Sequence, residues 1–457
     1  MYTKQSIASV LMLPWLAHGH ISPFLELAKK LTHRNFHVYL CSTPINLSSI
    51  KKRITENFSH SIELVEIHLP SSPDLPPHYH TTNGLPTHLI PTLKTAFDMA
   101  IPSFSNILNT LTPNLVIYDF NLPWAPTIAS SYGIPAVDFI PTGAAMTSST
   151  LHMFTKRGGA EFPFPEIQLR GFHETRFRNL IKKASANKDK NKEEGVVDAM
   201  KRSRNIILFH TFRELEGKYI DYLSVLIEKK IVPVGSLVRE IDDEDEHSEI
   251  IQWLDNKGGS STVFVSFGSE YFMSKDEIEE IAHGLELSNV NFIWVVRFPM
   301  GEKVELEEAL PKGFIERVGE RGMVVEGWAP QPRILTHSST GGFVSHCGWN
   351  SIMESLKFGV PIVAMPMHLD QPLNARLVEE VGVAMEVNRD INGRFNREDI
   401  SQVIRKVVVE KSGEDIRIKA REFCEKIRMK GEEELDEVVE ELLQLCKLKY
   451  LGGLNVI

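Results

Sequence analysis

A histidine backed by a carboxylate can take a proton from a hydroxyl, and the chain offers the parts of such a pair. His18 and His20 stand in A-H-G-H, just after the apolar run Ile7 to Leu13. Asp119 ends a second apolar run, N-L-V-I-Y-D-F at 114–120. Imidazole titrates near pH ~6.5, which suits it to general-base work. A carboxylate behind it orients the ring and stabilises the imidazolium, the logic of a hydrolase triad without its serine. The residue types alone leave three readings open: His18 as the base, His20 as the base, or both as caps of the helix that follows.

A denser set lies between 328 and 371, W-A-P-Q-P-R-I-L-T-H-S-S-T-G-G-F-V-S-H-C-G-W-N-S-I-M-E-S-L-K-F-G-V-P-I-V-A-M-P-M-H-L-D-Q. Trp328 before Ala-Pro offers an indole to stack on a planar base. S-H-C-G-W-N-S leads from a strand end into a helix expected near Trp349. The unpaired N–H groups at that helix start, with His346, Asn350 and Ser351, suit phosphate oxygens. Glu354, one turn on, can hold a ribose diol with its two oxygens. Asp370 and Gln371 open the next helix with donors and acceptors for a hexose. Each has an ordinary structural explanation by itself, but the order base, diphosphate, ribose, sugar describes a nucleotide sugar.

A third stretch, H-L-P-S-S-P-D-L-P-P-H-Y-H-T-T-N-G-L-P at 68–86, is rich in proline and histidine. It reads as a surface loop stiffened by its prolines, with His78, His80, Thr81, Thr82 and Asn83 as candidates to address the hydroxyls of a sugar-bearing acceptor.

These residues need a scaffold. Strand, helix, strand is the opening pattern, with Ile21, Phe24, Leu25, Ala28 and Leu31 on one helical face and a strand over 36–41. Further strands are expected at 114–120 and 133–140. The alternation restarts at 262–269 and continues through 292–296, 323–326, 342–344 and 361–365, with Ile278, Ile281, Ala282 and Leu285 facing a core. The expected fold is therefore α/β, two Rossmann-like parallel-sheet domains facing each other across a cleft at the strand carboxyl ends. The expected boundaries are 1–235 for an acceptor-binding domain and 236–457 for a nucleotide-sugar domain. The connection falls at about 232–250, and a last helix at about 431–449 packs back on the first domain. The basic stretch 170–204 reads as a solvated loop and mobile helix, or else as part of an acceptor pocket.

Composition removes other classes. The chain has 457 residues, 42% apolar and 24% charged, with a net charge of −10. That balance disfavours nucleic-acid or anionic-membrane partners. Four scattered cysteines without C-x-x-C suit a reducing cytoplasm. The start is read as a buried strand broken by Pro14 rather than as a targeting segment, and no run is long enough to span a bilayer. The acidic run D-D-E-D-E at 242–246 reads as a solvated connection, and no D-x-D is placed for a divalent ion. A UDP-sugar epimerase would need an N-terminal G-x-G-x-x-G and a Tyr-x-x-x-Lys pair on a helix, and neither is found.

Residues 328–371 resemble, without a gap, the 44-residue box of plant secondary-product glycosyltransferases, and the resemblance extends along the chain, including G-H-x-x-P near the start. It implies the two-domain GT-B architecture and an inverting UDP-dependent transferase with His20 as base and Asp119 as its partner. It also implies that Trp328 and Ala329 meet uracil, that Gln331 and Glu354 hold ribose, and that His346, Asn350, Ser351 and Ser269 hold the diphosphate. Trp349, Asp370, Gln371 and Thr142 fall to the sugar, and a final Gln goes with UDP-glucose as donor. No cofactor or metal is implied, and a monomer is expected. Two departures, V-G-S-L for V-G-P-L and Pro332 in the box, touch no assigned role. F-R-E-L-E-G-K-Y and the 68–78 run resemble the subgroup that adds a sugar to the sugar of a flavonoid, triterpenoid or carotenoid-derived glycoside, through 1→2 or 1→6 bonds. Transfer to an aglycone hydroxyl, or nucleotide-sugar binding without catalysis, are the alternatives.

Overall fold

Long apolar runs that end in polar turns make strands buried on both faces, and two parallel sheets result. The computed structural model describes residues 7–155, 161–186, 197–241, 249–298 and 304–452; the acidic run at 242–246 lies outside them. The first sheet holds β1 (Ala8–Leu13), β2 (Phe36–Ser42), β3 (Ile62–Glu66), β4 (Leu115–Asp119), β5 (Ala136–Ile140), β6 (Ile206–Phe209) and β7 (Lys230–Pro233). Its order is β3-β2-β1-β4-β5-β6-β7, with every pairing parallel. The strand period of two divides the core cleanly. Val10 and Met12 pack on one side with Phe24, Leu27 and Ala28 of the helix His18–Thr32. Leu11 and Leu13 pack on the other with Phe97 and Phe104.

The second sheet holds β8 (Thr262–Ser266), β9 (Asn291–Val296), β10 (Gly322–Glu326), β11 (Thr340–Ser345), β12 (Ile362–Ala364) and β13 (Ala384–Glu386). It is again all parallel, in the order β10-β9-β8-β11-β12-β13. Val263, Val265 and Trp294 face the helix Lys275–Ser288, whose Ile278, Ile281, Ala282 and Leu285 are buried against them. A capping box at Ser274 and Glu277 starts that helix. Two Rossmann-like α/β sheets are thus present.

The chain divides into two compact units: Met1–Ala160, Asp189–Leu237 and Lys430–Ile457 form one, and Glu161–Lys188 with Val238–Met429 form the other. The expected cut after 235 falls close to one of the four crossings, and the return at Lys430 matches the expected packing back of the last helix, but the excursion over Glu161–Lys188 was not expected. The helix Gly171–Ala186, which the sequence puts in the first domain, groups with the second unit. The last helix runs over Glu414–Gly452, longer than its expected span, and beyond Lys430 its Leu435, Val438, Leu442 and Leu445 enter the first unit's core. Val232 and Pro233, read from sequence as connection, end strand β7. Among the described residues no helix is long and apolar enough to cross a membrane.

Candidate functional site

In the first sheet the chain runs outward from β1 through β2 to β3, then returns to place β4 on the other side of β1. That reversal opens a crevice at the carboxyl ends of β1 and β4, the place where open α/β sheets take ligands. Both members of the proposed pair are there. His20 lies within the first turn of the helix His18–Thr32, which begins after a short turn from β1. Its Nδ1 lies 2.6 Å from Asp119 Oδ2. Asp119 is fully buried, whereas the His20 side chain keeps 18% of its surface. The second carboxylate oxygen, Oδ1, accepts from Asn121 N and Asn121 Nδ2, both at 3.0 Å. Three hydrogen bonds thus offset the burial of this carboxylate. His18 Nε2 lies 3.4 Å from Ser49 Oγ. Asp138 on β5 is buried too; burial first, and Asp119 second, hold its carboxyl well above the usual range.

The second sheet has the same reversal between β8 and β11. After β11, Cys347 adopts φ 64 and Gly348 leads into the helix Trp349–Phe358. Ser345 Oγ accepts from Cys347 N at 3.1 Å, and Asn374 Nδ2 donates to Cys347 O at 3.1 Å, so the turn is fixed from both sides. The N-cap residue is Gly348, which has no side chain to cap the helix start, and that start carries the positive end of the helix dipole. His346 sits where Cβ atoms at Gly268 and Gly348 would fall 2.7 and 2.5 Å from its Nε2, so only glycines fit beside it. Burial, then His368 and Arg297, push His346 down to about 3. It is therefore neutral, and its buried Nδ1 has no partner among the described residues. A neutral imidazole can donate one hydrogen bond to an oxyanion without a fixed charge.

The remaining box residues gather around this turn. Gln331 Nε2 donates to Glu354 Oε2 at 2.5 Å and lies 3.5 Å from Ser351 Oγ. Trp328 is 59% exposed and Ala329 is buried. Trp349 is buried, while Asn350, Ser351 and Glu354 are half-buried, as is Ser269 beyond β8. Asp370 Oδ2 accepts from Asn374 Nδ2 at 2.8 Å, which ties the sugar end of the box to the turn after β11. Gln371 is 95% buried, and its Oε1 accepts from Met367 N and His368 N, each at 3.0 Å. Its carbonyl therefore shapes its own loop, and its amide nitrogen lies 3.5 Å from His368 Nδ1.

Thr142 is half-buried in the turn between β5 and the helix Ala144–Thr155. The acceptor candidates divide. His78 and His80, with His68, Ile45, Leu69 and Pro77, line a cavity of about 290 Å³ in the first unit. It lies past the carboxyl ends of β2 and β3. His80 is buried; burial lowers its pKa, and its Nε2 has no partner among the described residues. Thr81 is buried as well, its hydroxyl 3.5 Å from Leu16 O, and accepts from Asn83 N at 3.3 Å. With Thr82 N donating to Leu16 O at 2.9 Å, this stretch stitches the cavity wall to the residues just before His20. Thr81 thus shapes the wall rather than facing the space.

Sequence reasoning missed Asn121, Asn374 and Arg297. Asn121 was within reach, since D-x-N is a common side-chain-to-backbone turn. Arg297 follows β9, its guanidinium buried enough to lower its pKa, with Nε unpartnered among the described residues. It adds positive potential at His346. Among those residues no three His, Cys, Asp or Glu side chains are grouped as a metal ion would need.

Comparison with known proteins shows the family and the fold. The profile of the family described as UDP-glucoronosyl and UDP-glucosyl transferase matches residues 227–418, and that of a glycosyltransferase N-terminal domain matches residues 5–239. UDP-glucosyltransferase 29 of Panax ginseng is 59% identical, over 96% of this chain and 97% of its own. The beta-D-glucosyl crocetin beta-1,6-glucosyltransferase of Gardenia jasminoides is 55% identical, over 95% of this chain and 98% of its own. Among solved structures, UGT73P12 of Glycyrrhiza uralensis, complexed with glycyrrhetinic acid 3-O-monoglucuronide, superposes with a TM-score of 0.83. It is 25% identical, over 98% of both chains.

Proposed function

We propose that this chain, which belongs to the UDP-glucoronosyl and UDP-glucosyl transferase family, moves glucose from UDP-glucose to a hydroxyl on the sugar of a small-molecule glycoside. A UDP-glycosyltransferase must activate a hydroxyl, hold a donor and stabilise departing UDP. The bond between His20 Nδ1 and Asp119 Oδ2 at 2.6 Å carries the first task. A carboxylate accepts, so Nδ1 holds the ring proton and Nε2 keeps its lone pair for the acceptor hydroxyl. As that proton passes to Nε2, the acceptor oxygen attacks C1 of the glucose. The bond from C1 to the UDP oxygen breaks, and one displacement converts an α-linked donor into a β-linked product.

The second unit supplies the other two tasks. Trp328 and Ala329 take uracil; Gln331 and Glu354 take ribose; Ser269, His346, Asn350 and Ser351 take the diphosphate. Trp349, Asp370 and Gln371 face the sugar, with Thr142 of the first unit as a further donor contact. The helix start at Trp349, neutral His346 and the Arg297 charge meet the negative charge that grows on UDP, a task a divalent ion performs elsewhere.

A glycoside acceptor is supported by the cavity with His78 and His80, which joins imidazole edges to apolar walls in the way a sugar ring requires. The Gardenia relative, by its name, extends a glucosyl group through a β-1,6 bond. The linkage proposed here is accordingly β-1,6 or β-1,2. Purified enzyme in EDTA, given UDP-glucose with an aglycone and with its monoglucoside, should prefer the monoglucoside. NMR of the product should place a β-anomeric glucose on the first sugar. Turnover of the bare aglycone alone would replace this acceptor assignment, and an α-anomer would end the single-displacement mechanism.

A further inference from the structure

Residues 161–186 fall between β5 and β6 in the sequence, yet they belong to the second unit. Two arginine-to-carbonyl bonds fix them there. Arg376, on the helix Gln371–Glu380, donates to Glu166 O at 3.1 Å, and Arg176, on the helix Gly171–Ala186, donates to Met367 O at 3.2 Å. Phe172 of the same helix covers Gly393 so closely that a Cβ there would fall 2.5 Å from its ring.

Met367 is the telling partner. Its N–H is held by Gln371 Oε1 and its carbonyl by Arg176, so the two side chains grip one residue from opposite ends. The loop they grip needs support, because Leu369 adopts φ 55 while 78% exposed, a strained backbone with little burial to stabilise it. Arg389 completes the brace, donating to Pro366 O at 3.2 Å and Gly393 O at 2.6 Å. The partners of these bonds, Met367, Pro366, Glu166 and Gly393, are separate from the residues assigned to uracil and ribose.

We propose that segment 161–186 is part of the donor-sugar machinery, with Arg176 as a positioning residue. It sets the 366–370 loop, and through that loop the aim of Asp370 and Gln371, so a stretch encoded within the acceptor half of the chain governs selection of the donor sugar. The proposal rests on the reading above that Asp370 and Gln371 face that sugar. Recognition of the hexose depends on Arg176, whereas recognition of UDP does not.

The test uses the full chain. Arg176→Ala should raise the KM for UDP-glucose about three- to ten-fold, the worth of one partly exposed charge-assisted hydrogen bond. It should narrow the kcat/KM ratio of UDP-glucose over UDP-galactose and leave the calorimetric Kd of UDP unchanged. Arg176→Lys, which can still donate to Met367 O, should recover most of the loss. KM and ratio both within two-fold of the parent would overturn the role, and so would an equal weakening of UDP itself. Gln371→Glu keeps the acceptor for the loop but removes the amide donor. If it leaves the sugar ratio unmoved, the assignment of Gln371 is the part that fails; if it moves the ratio and Arg176→Ala does not, Arg176 alone fails.

Discussion

A general base works only while its accepting nitrogen stays aimed and its other nitrogen stays tied, and three residues meet that condition here. Asn121 fixes one Asp119 oxygen, Asp119 fixes His20, and the helix start fixes the backbone of His20 through its N–H to Ala17 O at 2.9 Å. His20→Ala should lower kcat by about 10²- to 10⁴-fold, the usual worth of a positioned base. Calorimetric affinity for UDP should stay unchanged, because apart from Thr142 every proposed donor contact lies between 269 and 371. Asp119→Asn should act in the same direction while keeping an acceptor for Asn121 N. A loss of UDP affinity in step with kcat would make His20 a donor-site residue and remove it as base. Asp119 was legible because it ends an apolar run that reads as a buried strand, and His20 because it follows another such run after a short turn; strand carboxyl ends are where chemistry sits. The Gln371 contacts to Met367 N and His368 N were not legible, since they depend on the path of a loop whose strained residue, Leu369, carries no signal in its type.

Between elements, the most demanding contact is made by a carboxylate with no part in the proton transfer. The helix Arg213–Ile227 is broken at Glu216, φ −127 and ψ 19, and the buried side chain crosses to another helix start. Glu216 Oε2 accepts from Ala144 N at 2.8 Å and Oε1 from Ala145 N at 2.7 Å. Two orphan donors of the helix Ala144–Thr155 are thereby satisfied, and the turn holding Thr142 is pinned. Burial raises the Glu216 carboxyl from 4.5 to about 7, against the pull of Thr211, Ala145 and Ala144. The folded protein therefore binds this proton more tightly than the unfolded chain. The resulting stabilisation is complete below about pH 4.5 and is lost as pH rises through about 7. Urea midpoints at pH 5.5 and pH 8 should differ less in Glu216→Gln than in the parent; an unchanged difference would show that Glu216 does not titrate in this window. F-R-E-L-E was readable as a family-like signature, but the job of its last residue was not, because its partners lie some 70 positions away. Strands β6, β7 and β13, of three or four residues each, escaped because runs that short give no periodicity to read.

At the scale of the molecule, the chain leaves the first unit, enters the second and comes back, and the return carries core. A sequence reading can place a helix near 431–449, yet it cannot count how much of the first unit's interior that helix supplies. Leu435, Val438, Leu442, Leu445 and Cys446 are all at least 95% buried in the cluster that includes Val10, Phe24, Val38 and Ile117. Burying one such aliphatic side chain is worth about 1.5–3 kcal/mol, so losing this row removes an amount comparable with the whole margin of a typical domain, about 5–15 kcal/mol. The ion pairs along the same helix, Arg34 with Glu432 and Asp436 and Lys230 with Glu437 and Glu441, join partners mostly well exposed to water. Such pairs contribute about 1 kcal/mol or less each. Apolar packing therefore decides the outcome, and salt should matter little. A chain truncated after Met429 should lose the first unit as a folded body, seen as aggregation or rapid proteolysis of residues 7–155, while Arg34→Ala in the full chain should shift the urea midpoint only slightly. A truncated chain that stays soluble and unfolds cooperatively through its first sheet would show that the last helix only covers a core already complete.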